Sequence, residues 1–267
     1  MLKITNTQYV RIFRKYSKQF IVNIRRWLSP IADPFTALRG VLTYPRYFSE
    51  WLRYARMDGA EPLHLVNAYP QLHDRTSSTG IDVHYFYANG WAMRRIVSQQ
   101  PKHHVDIGSQ IMFVNLLSSI LPVEFFDYRP LGAQLEGLTN RSGDILNLPI
   151  ATASIKSLSC LHVAEHIGLG RYGDPLNPNG TRLACGEMKR VLAPGGNLYF
   201  ALPIGKPTVC FNAHRIHSPE TIIEYFSDLE LVELSGVHDN GRFMERVGMD
   251  EFHESKYACG MFWFRKR

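Results

Sequence analysis

The sequence predicts an α/β protein: a mostly parallel, seven-stranded sheet flanked by helices on both faces, preceded by a helical extension. Three observations predict it. From His103 onward, short β-branched and aromatic runs alternate with helical stretches. Three of those runs carry an aspartate at or near their end. A helical segment also closes on a proline and two glycines immediately before another apolar run.

In chain order, HHVDIG from His103 reads as a first strand ending on Asp106 and Gly108. MFVNLLSSILP has helical periodicity and stops at Pro122, and VEFFDYRP is a second strand closing on Asp127. RSGDILNLP gives a third short strand with Asp144, and SIKSLSCLHV a fourth. TRLACGEMKRVLAPGG carries the helix-then-glycine stop and NLYFALP is the fifth strand. SPETIIEYFSDL opens with Ser218 as N-cap and Pro219 at the first helical position. LELVELSGV and CGMFWF complete the sheet. In such sheets ligands bind at the carboxyl ends of the strands.

At 267 residues and 45% hydrophobic, the chain can bury a large core, and its charge separates it into an extension (1–60) and an α/β domain (61–267). The net charge is +6, yet Met1 to Arg56 alone holds eleven Lys or Arg against Asp33 and Glu50, a balance of +9 that leaves the remainder at −3. Tyr9, Ile12, Phe13, Tyr16, Phe20, Ile24, Trp27 and Leu28 recur at three and four residues among these basic residues. That is the pattern of a basic amphipathic helix ending near Leu28, where Pro30, Pro34 and Pro45 break it. Such a helix packs on its own domain, on a second copy in a homo-oligomer, or on an anionic membrane surface. No specific nucleic-acid partner is expected. Cys160, Cys185, Cys210 and Cys259 form no C-x-x-C pair, which argues against a zinc knuckle, a redox motif or a disulfide framework and fits a reducing cytoplasm. No apolar run is long enough to span a bilayer, and the N-terminus lacks the apolar segment of a signal peptide, so the expected protein is cytoplasmic, soluble or membrane-peripheral.

The stretch LHVAEHIGLGRYGDP contains His162, Glu165 and His166 spaced as H-x-x-E-H. On a helix this spacing would bind zinc in a metal-dependent hydrolase. Here the preceding segment reads as a strand, and Gly168, Gly170 and Gly173 soon follow, so a loop at the ligand edge is expected and no metal ligand is assigned. The Gly-, Pro- and Asn-rich run from Gly168 to Gly180 is expected to cover a ligand. Asp106, Asp127 and Asp144 would gather three carboxylates along one edge. A carboxylate at the end of a second strand suits a ribose diol. Asp144 suits an adenine amine, and Asp106 beside Gly108 suits a cationic amino group. Together they describe a pocket for an adenosine carrying a positively charged amino-acid tail.

On VDIGS, FFDYRP, GDILNLP and EMKRVLAPGGNLYFALP, the region from about His103 to the C-terminus resembles the class I S-adenosylmethionine-dependent methyltransferases, with their Rossmann-like fold. HYFYANGWAMRRI, EHIGLGRYGDPLNPNG and FNAHR further resemble an uncharacterised methyltransferase-like family associated with bacterial surface-polysaccharide clusters. The resemblance implies S-adenosylmethionine as cofactor. It implies Asp106, Gly108 and Ser109 at the methionine portion, Asp127 at the ribose, Asp144 and Ile145 at the adenine, and His162 at the cofactor's edge. The family's loop continues as G-x-G-x-G, whereas Gln110 and Met112 stand here.

A hydroxyl acceptor, a saccharide or another small molecule, must lose a proton during transfer, for which His166 is the first candidate base and His214 the second, with Glu165 orienting an imidazole. Arg171 or Arg215 would hold an anionic group. The rival readings are a catalytically inactive binding or scaffolding protein of the same fold, and the metal-dependent hydrolase.

Overall fold

A computed structural model describes residues 33–129 and 131–267. The chain divides after Gly80 into two compact units. The expected amphipathic helix over Tyr9 to Leu28 lies outside the described residues. In the first unit, α1 (Pro34–Tyr54) starts at Asp33, whose carboxylate accepts from the Phe35 and Thr36 amides, with Pro34 at the first position. It runs through Pro45, which the sequence pattern had treated as a break. The ring removes one helical N–H, and the turns on either side persist.

The second unit is the α/β domain. Its elements are α2 (Val83–Ser98), β1 (His104–Ile107), α3 (Ile111–Ser118), β2 (Val123–Asp127), β3 (Leu138–Ser142), β4 (Ile155–Leu161), α4 (Gly180–Val191) and β5 (Leu192–Ile204). A hairpin, β6 (Thr208–Cys210) with β7 (His214–Ile216), precedes α5 (Pro219–Tyr225). β8 (Leu229–Val237), β9 (Phe243–Met244) and β10 (Ala258–Lys266) follow. The main sheet runs β3-β2-β1-β4-β5-β10-β8-β9. β3 to β5 are parallel, and β10 is antiparallel to both β5 and β8. This is the predicted Rossmann-like α/β fold with eight strands instead of seven, the extra one being the two-residue β9.

Burial on both faces follows from the period-2 alternation of the central strands. Leu198, Phe200, Leu202 and Ile204 of β5 and Phe262 and Phe264 of β10 face α4 and α5 residues such as Met188, Val191 and Ile222. Tyr199, Ala201, Met261 and Trp263 face Trp91, Ile96, Phe113 and Leu117 of α2 and α3. On that second face, Glu233 accepts from Trp91 Nε1 at 2.7 Å and from Arg95 Nη2 and Nε at 2.9 and 3.0 Å, tying α2 to β8. The predicted N-cap at Ser218 is present, its hydroxyl accepting from Thr221 N.

Two boundaries differ from expectation. β5 starts at Leu192, directly after α4, and absorbs the two glycines as an irregularity in its register with β4. There Gly195 has φ +71°, and a Cβ on Gly196 would stand 2.8 Å from the Ala193 and Ile155 carbonyls. The third strand is Leu138–Ser142, so Asp144 lies in the turn beyond it, its carboxylate accepting from Leu146 N.

Strand order reverses between β1 and β4. Neighbouring strands there lead their connections to opposite sides, and a crevice opens at their carboxyl ends.

Candidate functional site

The crevice is a cleft with about 820 Å³ of empty space, part of it open to solvent. Its floor and first wall come from Ile107 and Gly108 after β1, Asp127 to Arg129 after β2, and Gly143 to Leu146 after β3. The other wall comes from His162, Val163, His166 and Ile167 after β4 and from Tyr172, Asp174 and Pro175 of the glycine-rich loop.

Gly108 is a close approach between the two walls. Its φ of +65° suits glycine, and a Cβ would meet Val163 Cγ1 at 3.1 Å. Asp127 closes β2 beside it: Oδ1 accepts from Arg129 N at 2.7 Å, and Oδ2 stands 3.8 Å from where that Cβ would be. Ile145 is a buried apolar surface, and Asp144 stands exposed at the same wall.

Asp106 and Ser109 sit elsewhere. Asp106 is fully buried, accepts from Ser109 N at 3.0 Å and from the Ser159 hydroxyl, and is absent from the cleft lining. Burial raises its pKa to about 6, against the lowering effect of those hydrogen bonds. Ser159 also contacts His104 Nε2 at 2.8 Å, and Ser157 contacts His104 Nδ1 at 2.7 Å. Ser109 Oγ accepts from Leu161 N at 3.0 Å. These two residues therefore join β1 to β4 behind the cleft. Direct contact of either with a ligand is corrected to support of the loop that carries Gly108.

The H-x-x-E-H residues form no zinc helix: His162 lies in a bend directly after β4, and Glu165 and His166 in the 3₁₀ turn Ala164–His166. His162 has φ +58° and points Nδ1 at Glu165 Oε1, 3.3 Å away, and Nε2 at Cys259 Sγ, 3.4 Å away. His166 instead holds the Ala213 carbonyl with Nδ1 at 2.5 Å, and its Nε2 is 3.7 Å from Glu165 Oε1. The two imidazoles thus flank one carboxylate with their other nitrogens committed apart, which corrects the hydrolase reading of this motif. Glu165 is 1% exposed, and its Oε2 has no hydrogen-bond partner. Burial opposes its charge, but His162 and then His166 outweigh that and lower its pKa. Burial lowers the pKa of His166, assisted by Arg171 and opposed by Glu165, so its neutral form prevails at pH 7.

His214 stands in β7, its ring 5.0 Å from that of Tyr257, next in sequence to the carbonyl that anchors His166. It is not part of the cleft lining. Arg215 is consumed by the glycine-rich loop: it donates to the Ile167 carbonyl at 2.6 Å and the Asn177 carbonyl at 3.0 Å, which removes it as an anion holder. Arg171 lies 3.2 Å from His166 Nδ1. The loop from Gly168 to Gly180 is a built wall. Asp174 accepts from Gly168 N at 2.6 Å and Tyr172 N at 3.2 Å, and a Cβ on Gly168 would collide with the Asn177 carbonyl at 2.2 Å. Missed by sequence reasoning are Arg129, which lies over the Tyr172 ring at 4.6 Å, and Val163 opposite Gly108. Both follow a recognised strand end, a position that could have flagged them.

Residues 152–247 match the family described as Caenorhabditis protein of unknown function, DUF268. No curated protein matches the chain. Among solved structures, the N-methyltransferase NodS from Bradyrhizobium japonicum WM9, in complex with S-adenosyl-L-homocysteine, is 17% identical over 82% of this chain and 97% of its own, with a TM-score of 0.49. A possible histamine N-methyltransferase from Thermotoga maritima is 14% identical over 84% of this chain and 99% of its own, with a TM-score of 0.47. The geranyl diphosphate C-methyltransferase from Streptomyces coelicolor A3(2) is 10% identical over 67% of this chain and 79% of its own, with a TM-score of 0.48. Likenesses of this size carry no functional argument. Among the described residues, no helix is long and apolar enough to cross a membrane.

Proposed function

We propose that the chain binds S-adenosylmethionine in the cleft and transfers its methyl group to a hydroxyl of a small acceptor, a saccharide being the class suggested by the sequence resemblance. The observation that carries this reading is the convergence of Gly108, Asp127 and Ile145 at the point where strand order reverses. The residues present fit the cofactor. Asp127 spends Oδ1 on Arg129 N, which leaves Oδ2 facing the cleft beside Gly108 to accept from a ribose hydroxyl. Ile145 supplies an apolar face for a nucleobase, and Gly108 permits close approach of the backbone. Bound S-adenosylmethionine supplies an electrophilic methyl group on sulfonium sulfur.

The chain's own contribution is alignment and proton removal. With Nδ1 held by the Ala213 carbonyl, neutral His166 keeps Nε2, 3.4 Å from Arg171 Nη1, as the nitrogen to take the acceptor's hydroxyl proton. Glu165, 3.7 Å away, favours the imidazolium as it forms. The acceptor's proton would rest on His166 as its oxygen takes the methyl group that the cofactor would supply.

The second reading, an inactive binding protein of the same fold, draws on Gln110 and Met112. Neither lines the cleft. Gln110 has φ −58°, a value open to any residue, and turns its side chain to Asn89 Nδ2 at 2.6 Å, while Met112 is exposed on α3. These features support the catalytic reading, because the departures from the glycine pattern leave the pocket open. Isothermal titration of the full chain with S-adenosylhomocysteine tests it. Saturable one-site binding is expected, and no heat at any accessible concentration overturns the proposal.

A further inference from the structure

Behind the cleft wall, three side chains from distant parts of the sequence point their ligand atoms at one another. His84 stands in the first turn of α2, His162 leaves β4, and Cys259 lies in β10. A nitrogen of each histidine and the Cys259 sulfur all lie within 4.8 Å of one another, and all three residues are buried. We propose that His84, His162 and Cys259 form a binding site for one zinc-class divalent cation. The site goes beyond the methyl-transfer reading, sharing with it His162 of the cleft wall and the neighbouring Glu165.

The spacing suits the ion. Tetrahedral zinc with bonds of about 2.0–2.1 Å to nitrogen and 2.3 Å to sulfur sets ligand atoms about 3.5 Å apart. His162 Nε2 and Cys259 Sγ already stand at 3.4 Å. The His84 and His162 rings stand 5.6 Å apart between centroids and 23° from parallel, and one nitrogen of each lies within 4.8 Å of the other and of the sulfur. Two imidazoles and a thiolate form a borderline-soft set that favours zinc over magnesium or calcium.

The surroundings also suit a ligated histidine. His162 places its second nitrogen against Glu165, as metal-bound histidines do with an outer carboxylate, and this fixes Nε2 as the nitrogen that faces Cys259. His84 has a backbone partner at Tyr257 and stacks on the Tyr257 ring at 4.8 Å. His162 holds a left-handed backbone, φ +58°, unusual for a residue with a Cβ. A divalent ion, one thiolate and the Glu165 carboxylate sum to zero charge, which would compensate a buried acid whose Oε2 is otherwise unpartnered. Binding converts the thiol to thiolate and frees His162 Nε2 to ligate, and the protons those two atoms carried are released to solvent. Three protein ligands leave one tetrahedral position.

The test uses the full chain under reducing conditions. It is incubated with zinc, freed of excess by gel filtration, and assayed by elemental analysis; a second sample takes cobalt(II). We expect about one zinc per chain, together with a near-ultraviolet thiolate-to-cobalt charge-transfer band. Cys259→Ser should abolish the band and His84→Gln should reduce zinc to below about a tenth of an equivalent, while Cys210→Ser leaves both unchanged. Circular dichroism establishes that each variant is folded. A folded wild-type chain that retains neither metal, or a band that persists in Cys259→Ser, overturns the proposal. Because the wild-type cobalt spectrum needs no variant, a misfolded substitution does not decide the outcome. Failure to bind S-adenosylhomocysteine leaves these readouts unaffected.

Discussion

The carboxyl ends of β1 and β2 look alike in sequence and differ in use. Each closes with an aspartate, yet Asp106 is sealed into a polar chain with Ser159, Ser109 and His104, whereas Asp127 stands at the cleft beside Gly108. The difference is one residue of pleat. Asp106 is the penultimate residue of β1, so a further strand residue, Ile107, separates it from the rim, while Asp127 is the last residue of β2. An acid inside a strand must find donors among its neighbours; an acid at the terminus is left to an incoming ligand.

A third carboxylate bounds the comparison. Glu233, buried like Asp106, is paired with a cation in addition to a hydroxyl, that of Ser235. Glu233→Ala leaves Trp91 Nε1 without its acceptor and Arg95 with Glu245 alone, and should cost roughly 3 kcal/mol of unfolding free energy, read by urea denaturation. At the rim, Asp127→Ala should weaken S-adenosylhomocysteine binding about ten- to hundred-fold, roughly 1.5–3 kcal/mol, while stability stays within about 0.5 kcal/mol. An Asp127 variant that unfolds but binds normally would erase the distinction between the two strand ends.

The buried acid is tested by pH. Its pKa, raised from 3.8 to about 6, means that the fold favours neutral Asp106. Its contribution is therefore complete below 3.8 and is lost as pH rises through 6. Asp106→Asn lacks that loss. Its stability relative to wild type should improve by on the order of 1–3 kcal/mol between pH 4 and 6, measured by urea unfolding across that range. A flat difference would place Asp106 in contact with solvent. The smallest effect belongs to Asp144→Ala. The side chain is exposed and accepts from Leu146 N, so affinity and stability should each change by less than about 1 kcal/mol.

The elements with continuous apolar runs were legible, because β1, β2, β4, β5, β8 and β10 are buried on at least one face. β3 was not. Its sequence, LTNRS, is mostly exposed at the sheet edge and carries no apolar period, so the more hydrophobic DILNLP downstream attracted the assignment. At the site, Asp127 and His166 were legible because they end or follow recognisable strands, whereas Ile145 lies in a turn that the sequence pattern had assigned to a strand. The neighbourhood of His84, His162 and Cys259 was not, since contacts spanning such separations follow from strand order, which periodicity does not encode. The fate of Arg215 was equally hidden: its partners are carbonyls, and every residue offers one.

β10 lies between β5 and β8, although both precede it in the chain. Until β10 docks, β8 has no neighbour linking it to the parallel strands and Glu233 has no fixed platform from which to hold α2. Assembly of the second face therefore waits for a late segment to enter the middle of the sheet, a non-local step that slows folding. Cys259 arrives on that same strand, so its meeting with the two histidines is among the last events in forming the native domain.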